Sequence, residues 1–395
     1  MEVNVAMKFL HLGDLHLGKY LCEFSLLDDQ KYILNQIVEM AKEEQADGVL
    51  LAGDIYDRPV PNEEAVDLLY QFLLRLKENG IRTFLISGNH DSEKRLDFGT
   101  KFFEAGGVYI CARYDGTLYK RTFEDNGKKV NIFLLPFVKA SMVKNFYPDE
   151  IEDNNYESAV RVILNHADID PSECNILVSH QFVVGEGGET PVLDGSESLQ
   201  TREVGTVEQI GSSLFDDFAY VALGHIHLPQ KVGRETIRYS GSILKYSKSE
   251  IRHKKSVPVI TTGDDGSVSV KFLELKPKRE VRVLEGRMAE ILAAGKEDEH
   301  RDDYVYVILH DEEIIPDGML VMQHTYPNTL KISYENSHTR ELVSQSLENG
   351  ADVDLSFEEI VKKFYSEMYG SEISDEEMEI LLAAAREVDI CDETD

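Results

Sequence analysis

The run Phe9-Leu10-His11-Leu12-Gly13-Asp14-Leu15-His16 decides the reading of this chain. A short apolar strand stops at a glycine and delivers an aspartate and a histidine two residues apart. Four more short apolar runs also end on metal-binding side chains. Residues 49–52 run into Gly53-Asp54-Ile55-Tyr56-Asp57-Arg58, and residues 84–86 lead to Gly88-Asn89-His90-Asp91. Residues 176–178 run into Ser179-His180-Gln181, and 221–223 into Gly224-His225-Ile226-His227. In α/β proteins reactive groups gather in the crevice outside the carboxyl ends of the strands, and a glycine beside them lets the chain turn sharply. Five strand ends, each stopping on a side chain that binds hard or borderline divalent cations, predict one shared site.

Outward from these ends the pattern alternates strand and helix. Helices are predicted near 26–44, 63–79 and 94–105, with further strands at 108–110 and 130–135, which is α/β alternation. A polar stretch at 149–156 opens another helix. Residues 185–211 are Gly-rich without apolar periodicity, the composition of a functional or mobile loop. After His227 come short strands at 237–240, 258–262 and 268–275, and Pro277 in a charged stretch marks a boundary. Beyond it, 281–284, 304–309 and 329–334 read as strands and 287–294 as a helix, a small α+β segment. No internal repeat is found.

Near the end, Ser356-Phe357-Glu358-Glu359 and Ser374-Asp375-Glu376-Glu377 read as capping boxes, each opening an amphipathic helix. Phe357, Ile360, Val361, Phe364, Tyr365 and Met368 line one; Met378, Leu381, Leu382, Ala385 and Val388 line the other. These stripes pack either on the body of the chain or on a partner's helices, and the acidic tether before them favours the partner. A different helix carries a second such question. Between Ala65 and Leu76, 9 of 12 residues are apolar, more than one core-facing stripe needs. That helix is buried on two sides within the chain or packs on a second copy.

A length of 395 residues implies two or three domains. No apolar run approaches the roughly 18 residues of a membrane span, and no leader pattern precedes the first strand, so no membrane association and a cytoplasmic location are expected. Residues 1–6 carry no assigned function. The four scattered cysteines form no CxxC pair, which argues against a disulfide framework or thiolate zinc site. The net charge of −32 is unevenly spread. Residues 228–282 hold 13 Lys/Arg against 6 Asp/Glu, a net of +7, whereas 283–395 hold 8 against 29, a net of −21. The basic stretch is either a solvated surface or a belt that neutralises a polyanion beside the site.

Asp, His and Asn side chains with no thiolate suit Mn²⁺, Fe²⁺ or Zn²⁺, and a carboxylate is the ligand best able to bridge two cations. Two ions roughly 3.5–4 Å apart can share a hydroxide at neutral pH, polarise a phosphoryl oxygen and stabilise an in-line displacement. A spare histidine could then serve the leaving group. Singly, each residue has an ordinary structural role, such as a helix cap for Asp54 or a satisfied strand-end histidine for His180. The ordered set of five does not.

The order DxH, GDxxDR, GNHD, H, GHxH resembles the calcineurin-like metallophosphoesterases, and every element is present. The flanking words resemble, within them, the bacterial SbcD family of nuclease subunits: Gly13-Asp14-Leu15-His16-Leu17-Gly18, GDIYDRP at 53–59, YVALGHIHLPQ at 220–230 and Tyr239-Ser240-Gly241-Ser242. The resemblance spans nearly the whole chain. It departs in Ile243-Leu244-Lys245 and in the larger acidic excess, neither of which touches a ligand.

This resemblance implies an α/β sandwich of two mixed sheets flanked by helices, with a small α+β capping domain and a C-terminal helix pair. The implied division is a nuclease domain at 1–277, a capping, DNA-binding domain at 278–345, and an acidic tether with partner-binding helices at 346–395. One metal would be held by Asp14, His16, Asp54 and His227, and the second by Asp54, Asn89, His180 and His225. His90 matches the catalytic histidine. Asp57 and Asp91 would orient ligands or His90, or cap helices. The implied cofactors are two Mn²⁺ ions. The implied activity is 3′ to 5′ exonuclease action on double-stranded DNA and endonuclease action on hairpins and single strands, in end processing, recombination and repair. The implied partners are the SbcC ATPase, in a heterotetramer with two copies of each subunit, and a second copy of this chain through the nuclease domain. Two alternatives remain: a small-molecule phosphatase or cyclic-nucleotide phosphodiesterase of the same fold, and a binding subunit that mainly positions DNA.

Overall fold

Strand β1 (Lys8–Leu12), helix α1 (Leu27–Glu43), strand β2 (Gly48–Ala52), helix α2 (Glu63–Glu78) and strand β3 (Arg82–Ile86) realise the expected alternation. The computed structural model describes residues 6–125, 128–151, 155–193 and 209–337, with scattered positions between 361 and 381. The parallel strands are covered on both faces, which is why they read as unbroken apolar runs. In β2, Val49 and Leu51 pack with α1 and α2, while Leu50 and Ala52 pack toward the second sheet.

The helix expected over 94–105 is instead two short ones, α3 (Glu93–Leu96) and α4 (Thr100–Glu104). Gly99 sits between them at φ 79° as the N-cap of the second, a left-handed conformation that no continuous helix could contain. Strands β4 (Val108–Cys111), β5 (Tyr119–Asp125) and β6 (Lys128–Leu135) follow, then helices α5 (Ala140–Lys144) and α6 (Tyr156–Asn165). Next come β7 (Cys174–His180), β8 (Tyr220–Gly224), β9 (Gln230–Val232), β10 (Arg234–Tyr239), β11 (Ser256–Thr262) and β12 (Val268–Glu274). β5 was not anticipated from the sequence.

These strands form two mixed six-stranded sheets, β12-β11-β1-β2-β3-β4 and β9-β10-β8-β7-β6-β5. Phe9, Leu50, Phe84 and Ile86 of the first meet Ile132, Leu134, Ile176, Val178 and Tyr220 of the second in a shared core. Each large side chain buried there contributes about 1.5–3 kcal/mol. His11 crosses the same interface. Its Nε2–H donates to the Leu223 carbonyl (3.2 Å), so Nδ1 accepts from the Tyr220 hydroxyl (3.0 Å), and burial keeps the ring neutral with a pKa lowered to about 3.

A smaller parallel sheet, β13 (Val281–Gly286), β14 (Tyr304–Leu309) and β15 (Thr329–Tyr334), carries helices α7 (Met288–Ala294) and α8 (Gly318–Gln323). Its core is Val305, Val307, Leu309, Met288, Ile291, Met322 and Tyr326. Asp29 of α1, almost fully buried, ties it to the first sheet's helices through Arg279 (3.1 Å) and the Tyr304 hydroxyl (2.9 Å). All of this lies in one compact unit, Met1–Tyr334; Glu335–Asp395 form another. In the second unit Ser374 and Glu377 make the expected reciprocal capping bonds, 3.1 Å and 3.3 Å. The box at 356–359, the tether at 348–354, most of the helix pair, 194–208 of the Gly-rich loop and residues 1–5 lie outside the described residues. Among the described residues no helix is long and apolar enough to cross a membrane.

Candidate metal centre

Strand register brings the predicted residues together. Leu12 pairs with Leu51 and Ala52 with Ile86 in the first sheet, and His180 pairs with Gly224 in the second. The loops after β1, β2 and β3 therefore emerge side by side, facing those after β7 and β8. The glycines at these ends have no room for a side chain: a Cβ at Gly88 would fall on the Asp54 carboxylate, and one at Gly224 on the Ala52 carbonyl. Asp14 (φ 52°), His16 (φ 43°), Asp54 (φ 49°) and His225 (φ 102°) are themselves left-handed. Such backbone costs on the order of 1–3 kcal/mol per residue and persists only where the surroundings over-determine it.

All seven predicted ligands converge. Asp14, His16 and His227 form one group, and Asp14, Asp54 and His180 another, each with its ligand atoms within 4.8 Å of one another. Asp54 Oδ2 lies between the histidines of the two groups, 3.7 Å from His16 Nε2 and 3.4 Å from His180 Nε2. Asn89 Oδ1 is 3.0 Å from His180 Nε2 and 3.2 Å from His225 Nδ1. Asp14 Oδ1 accepts the His225 N–H (2.8 Å), which fixes the carboxylate and leaves Oδ2 buried without a hydrogen-bond partner.

The arrangement fits divalent cations. His180 Nδ1–H donates to the Ala52 carbonyl (2.7 Å), which turns Nε2 toward the Asn89 and Asp54 oxygens. His16 and His227 face each other Nε2 to Nε2 at 3.1 Å. Histidine nitrogens, carboxylate oxygens and an amide oxygen thus crowd together in a buried place, a donor set of the kind that holds divalent cations. Burial drives His16 well below the usual histidine range and His225 down to about 3, so both are neutral, the form that ligates. Burial opposes the charged forms of His180 and Asp54. Even so, the Asp54 and Asp14 carboxylates raise His180 to about 9, and His180 with His16 holds Asp54 well below the carboxylate range.

His90 is half-buried, its ring edge-on to His16 at 4.9 Å between centroids. Its Nδ1–H donates to the Asp57 carbonyl (3.2 Å) and its backbone N–H to Asp54 Oδ1 (2.9 Å). Asp57 thus holds His90 through its main chain, while its carboxylate pairs with Lys19 (2.7 Å). Asp91 accepts the N–H groups of Ile55 (3.0 Å), Tyr56 (3.0 Å) and Gly88 (2.9 Å), locking two ligand loops together.

Several supporting residues escaped the sequence reading. Gln30 donates to the His16 (2.8 Å) and Leu15 (3.2 Å) carbonyls and accepts the Gly18 N–H (3.0 Å), and the Tyr246 hydroxyl donates to the Leu15 carbonyl (2.5 Å). A glutamine in line with Ile33, Leu34 and Ile37 on an apolar helix stripe was the available signal. Glu250 and Lys255 form a buried pair (2.6 Å) behind His227. Burial opposes charge on Glu250, but Lys255 holds its carboxyl well below the usual range.

The basic stretch is partly neutralised by neighbouring carboxylates, while Lys248, Arg252, Lys254, Lys276 and Lys278 are exposed. Lys231, Arg238, Lys245, Lys255, Lys271, Arg279 and Arg282 each hold a carboxylate.

Two family models match the chain: calcineurin-like phosphoesterase over residues 7–229, and SbcD_C, the type 5 capsule protein repressor C-terminal domain, over residues 277–369. Among similar solved structures, a dimetal phosphatase from Danio rerio is 12% identical with a TM-score of 0.39, over 68% of this chain and 98% of its own. A phosphatase from Mycoplasma pneumoniae is 13% identical with a TM-score of 0.37, over 70% of this chain and 95% of its own.

Proposed function

The chain belongs to the calcineurin-like phosphoesterase family and is a metal-dependent phosphoester hydrolase; we propose that its substrate is DNA and that it is an SbcD-type nuclease subunit. The observation that carries the two-metal reading is Asp54, whose carboxylate lies between His16 and His180. Asp14, His16, Asp54 and His227 would hold one Mn²⁺, and Asp54, Asn89, His180 and His225 would hold the other. The bound ions supply Lewis acidity at the phosphoryl oxygen and a water that ionises near neutral pH. His90 is anchored at Nδ1 by Asp57, so Nε2 is the end that exchanges a proton with the leaving oxygen.

The second family match supports DNA and SbcC over the alternatives. A small-molecule phosphatase has no use for a capping domain at 278–345 or for a partner-binding segment at 346–395. A purely DNA-positioning subunit has no use for His90. In this reading the protein acts in the cytoplasm on double-stranded ends and hairpins, with SbcC gripping the C-terminal segment at 346–395. Assays with Mn²⁺ on linear duplex, hairpin DNA and a chromogenic phosphodiester test it, run on the full chain and on a chain ending at Asn349. Cleavage of all three substrates is expected from the full chain. The truncated chain should keep diester cleavage and lose co-purification with SbcC. Full binding of SbcC by the truncated chain would move the partner surface elsewhere.

The homodimer is also part of this reading. On α2, Ala65, Leu69, Phe72 and Leu76 are buried, while Val66 and Tyr70 are exposed. They line an apolar groove of about 370 Å³ with Phe98 and Phe103, and Phe98 itself is 83% exposed. Uncovered apolar area of this kind marks an interaction surface. Light scattering should report a dimer that Tyr70→Glu with Phe98→Glu converts to monomer. A wild-type monomer at tens of micromolar contradicts a self-association face.

A further inference from the structure

Resting on the metallophosphoesterase reading above, we infer that Glu250 and Lys255 are positioning residues that set the tautomer and orientation of His227. Neither residue belongs to a ligand motif. Glu250 lies in a short 3₁₀ turn (Lys248–Arg252) and is fully buried, and Lys255 is 6% exposed. Two buried charges need a reason.

Their bonds supply it. Glu250 Oε1 accepts from His227 Nδ1 (3.3 Å) and from the Tyr246 N–H (3.2 Å), and Oε2 accepts from Lys255 Nζ (2.6 Å) and the Ser242 hydroxyl (3.2 Å). A carboxylate only accepts, so the proton between Glu250 and His227 sits on Nδ1. In the neutral ring, the form that ligates, the lone pair is then on Nε2, the nitrogen that faces His16. Lys255 holds the same ligand from behind, because its ammonium also donates to the His227 carbonyl (2.9 Å) and to the Ser242 hydroxyl (2.8 Å). Ser242 closes the loop by donating its backbone N–H to that carbonyl (3.2 Å). Lys255 thus clamps the main chain of His227, and Glu250 clamps its ring.

The device is a carboxylate–histidine pair of the kind that fixes ring orientation and raises ligand basicity, whose loss costs about 10–100-fold in metal affinity. Lys255, 2.6 Å from Glu250 and buried with it, supplies the countercharge a buried carboxylate needs. Removing one partner alone strands the other charge, so the test removes both.

Mn²⁺ alone is titrated calorimetrically into the metal-free full chain. Glu250→Leu with Lys255→Met, which removes the acceptor, should weaken binding at one site by about 10–100-fold. Glu250→Gln with Lys255→Met keeps a neutral acceptor and should stay within a few-fold of wild type. Unchanged affinity in the Leu/Met protein, or equal loss in both, overturns the inference. If the Leu/Met protein does not fold, ¹⁵N spectra of wild-type His227 decide: a proton on Nδ1 supports the assignment, and a bare Nδ1 overturns it. Wild type that binds no Mn²⁺ would instead remove the metallophosphoesterase reading beneath it.

Discussion

Asp54→Ala is expected to lower phosphodiester hydrolysis by ~10⁴-fold or more and to leave neither ion bound. The several kcal/mol that metal ions supply to a phosphoryl transition state convert to that factor at tenfold per 1.36 kcal/mol. Asp54 Oδ2 is shared between the His16 and His180 sides of the centre, and Oδ1 holds the His90 backbone N–H. One substitution therefore removes a ligand from both positions. Asp54→Asn is the companion variant, since asparagine tolerates the left-handed backbone that Asp54 adopts at φ 49°. It should fold as wild type by circular dichroism while elemental analysis shows lost metal. An Asp54→Ala protein that keeps both ions would mean that Asp54 bridges nothing.

His90→Ala should separate chemistry from metal binding. Its imidazole makes no bond to a ligand atom, its Nδ1 is occupied by the Asp57 carbonyl, and its N–H to Asp54 belongs to the backbone and survives the change. Turnover should fall by roughly 10²–10⁴-fold, the contribution of a positioned general acid or base. Metal content should match wild type. Loss of an ion in His90→Ala would make His90 a ligand and remove it from the proton-transfer role.

The convergence of these residues was legible because every motif ends an apolar run, four of the five at a glycine and His180 after Ser179, and parallel strands deliver their carboxyl ends to one side. What could not be read was the assignment of those ends to two different sheets, with Asp14, Asp54 and Asn89 on one and His180, His225 and His227 on the other. Pairing partners are set by tertiary packing, which local sequence does not record. The left-handed backbone of Asp14, His16, Asp54 and His225 was equally hidden, because only glycine advertises that conformation.

Charge counting misled in one place. Lys255 was counted in a surface belt, yet it is buried against Glu250, five residues away in a 3₁₀ turn with no periodicity to reveal it. The helix over 94–105 failed for a readable reason: Gly99 was there to see, and a glycine tolerated inside a helix cannot be told by sequence from one that ends it. At α2 the excess of apolar residues over a single stripe was informative, since Val66 and Tyr70 remain uncovered while Ala65, Leu69, Phe72 and Leu76 face the core.

The central claim is tested most directly by titrating Mn²⁺ into metal-free wild-type protein while following hydrolysis of a chromogenic phosphodiester. Two ions per chain are predicted, with hydrolysis appearing as the second site fills. A chain that saturates at one ion, or binds two and leaves the diester intact, would contradict it.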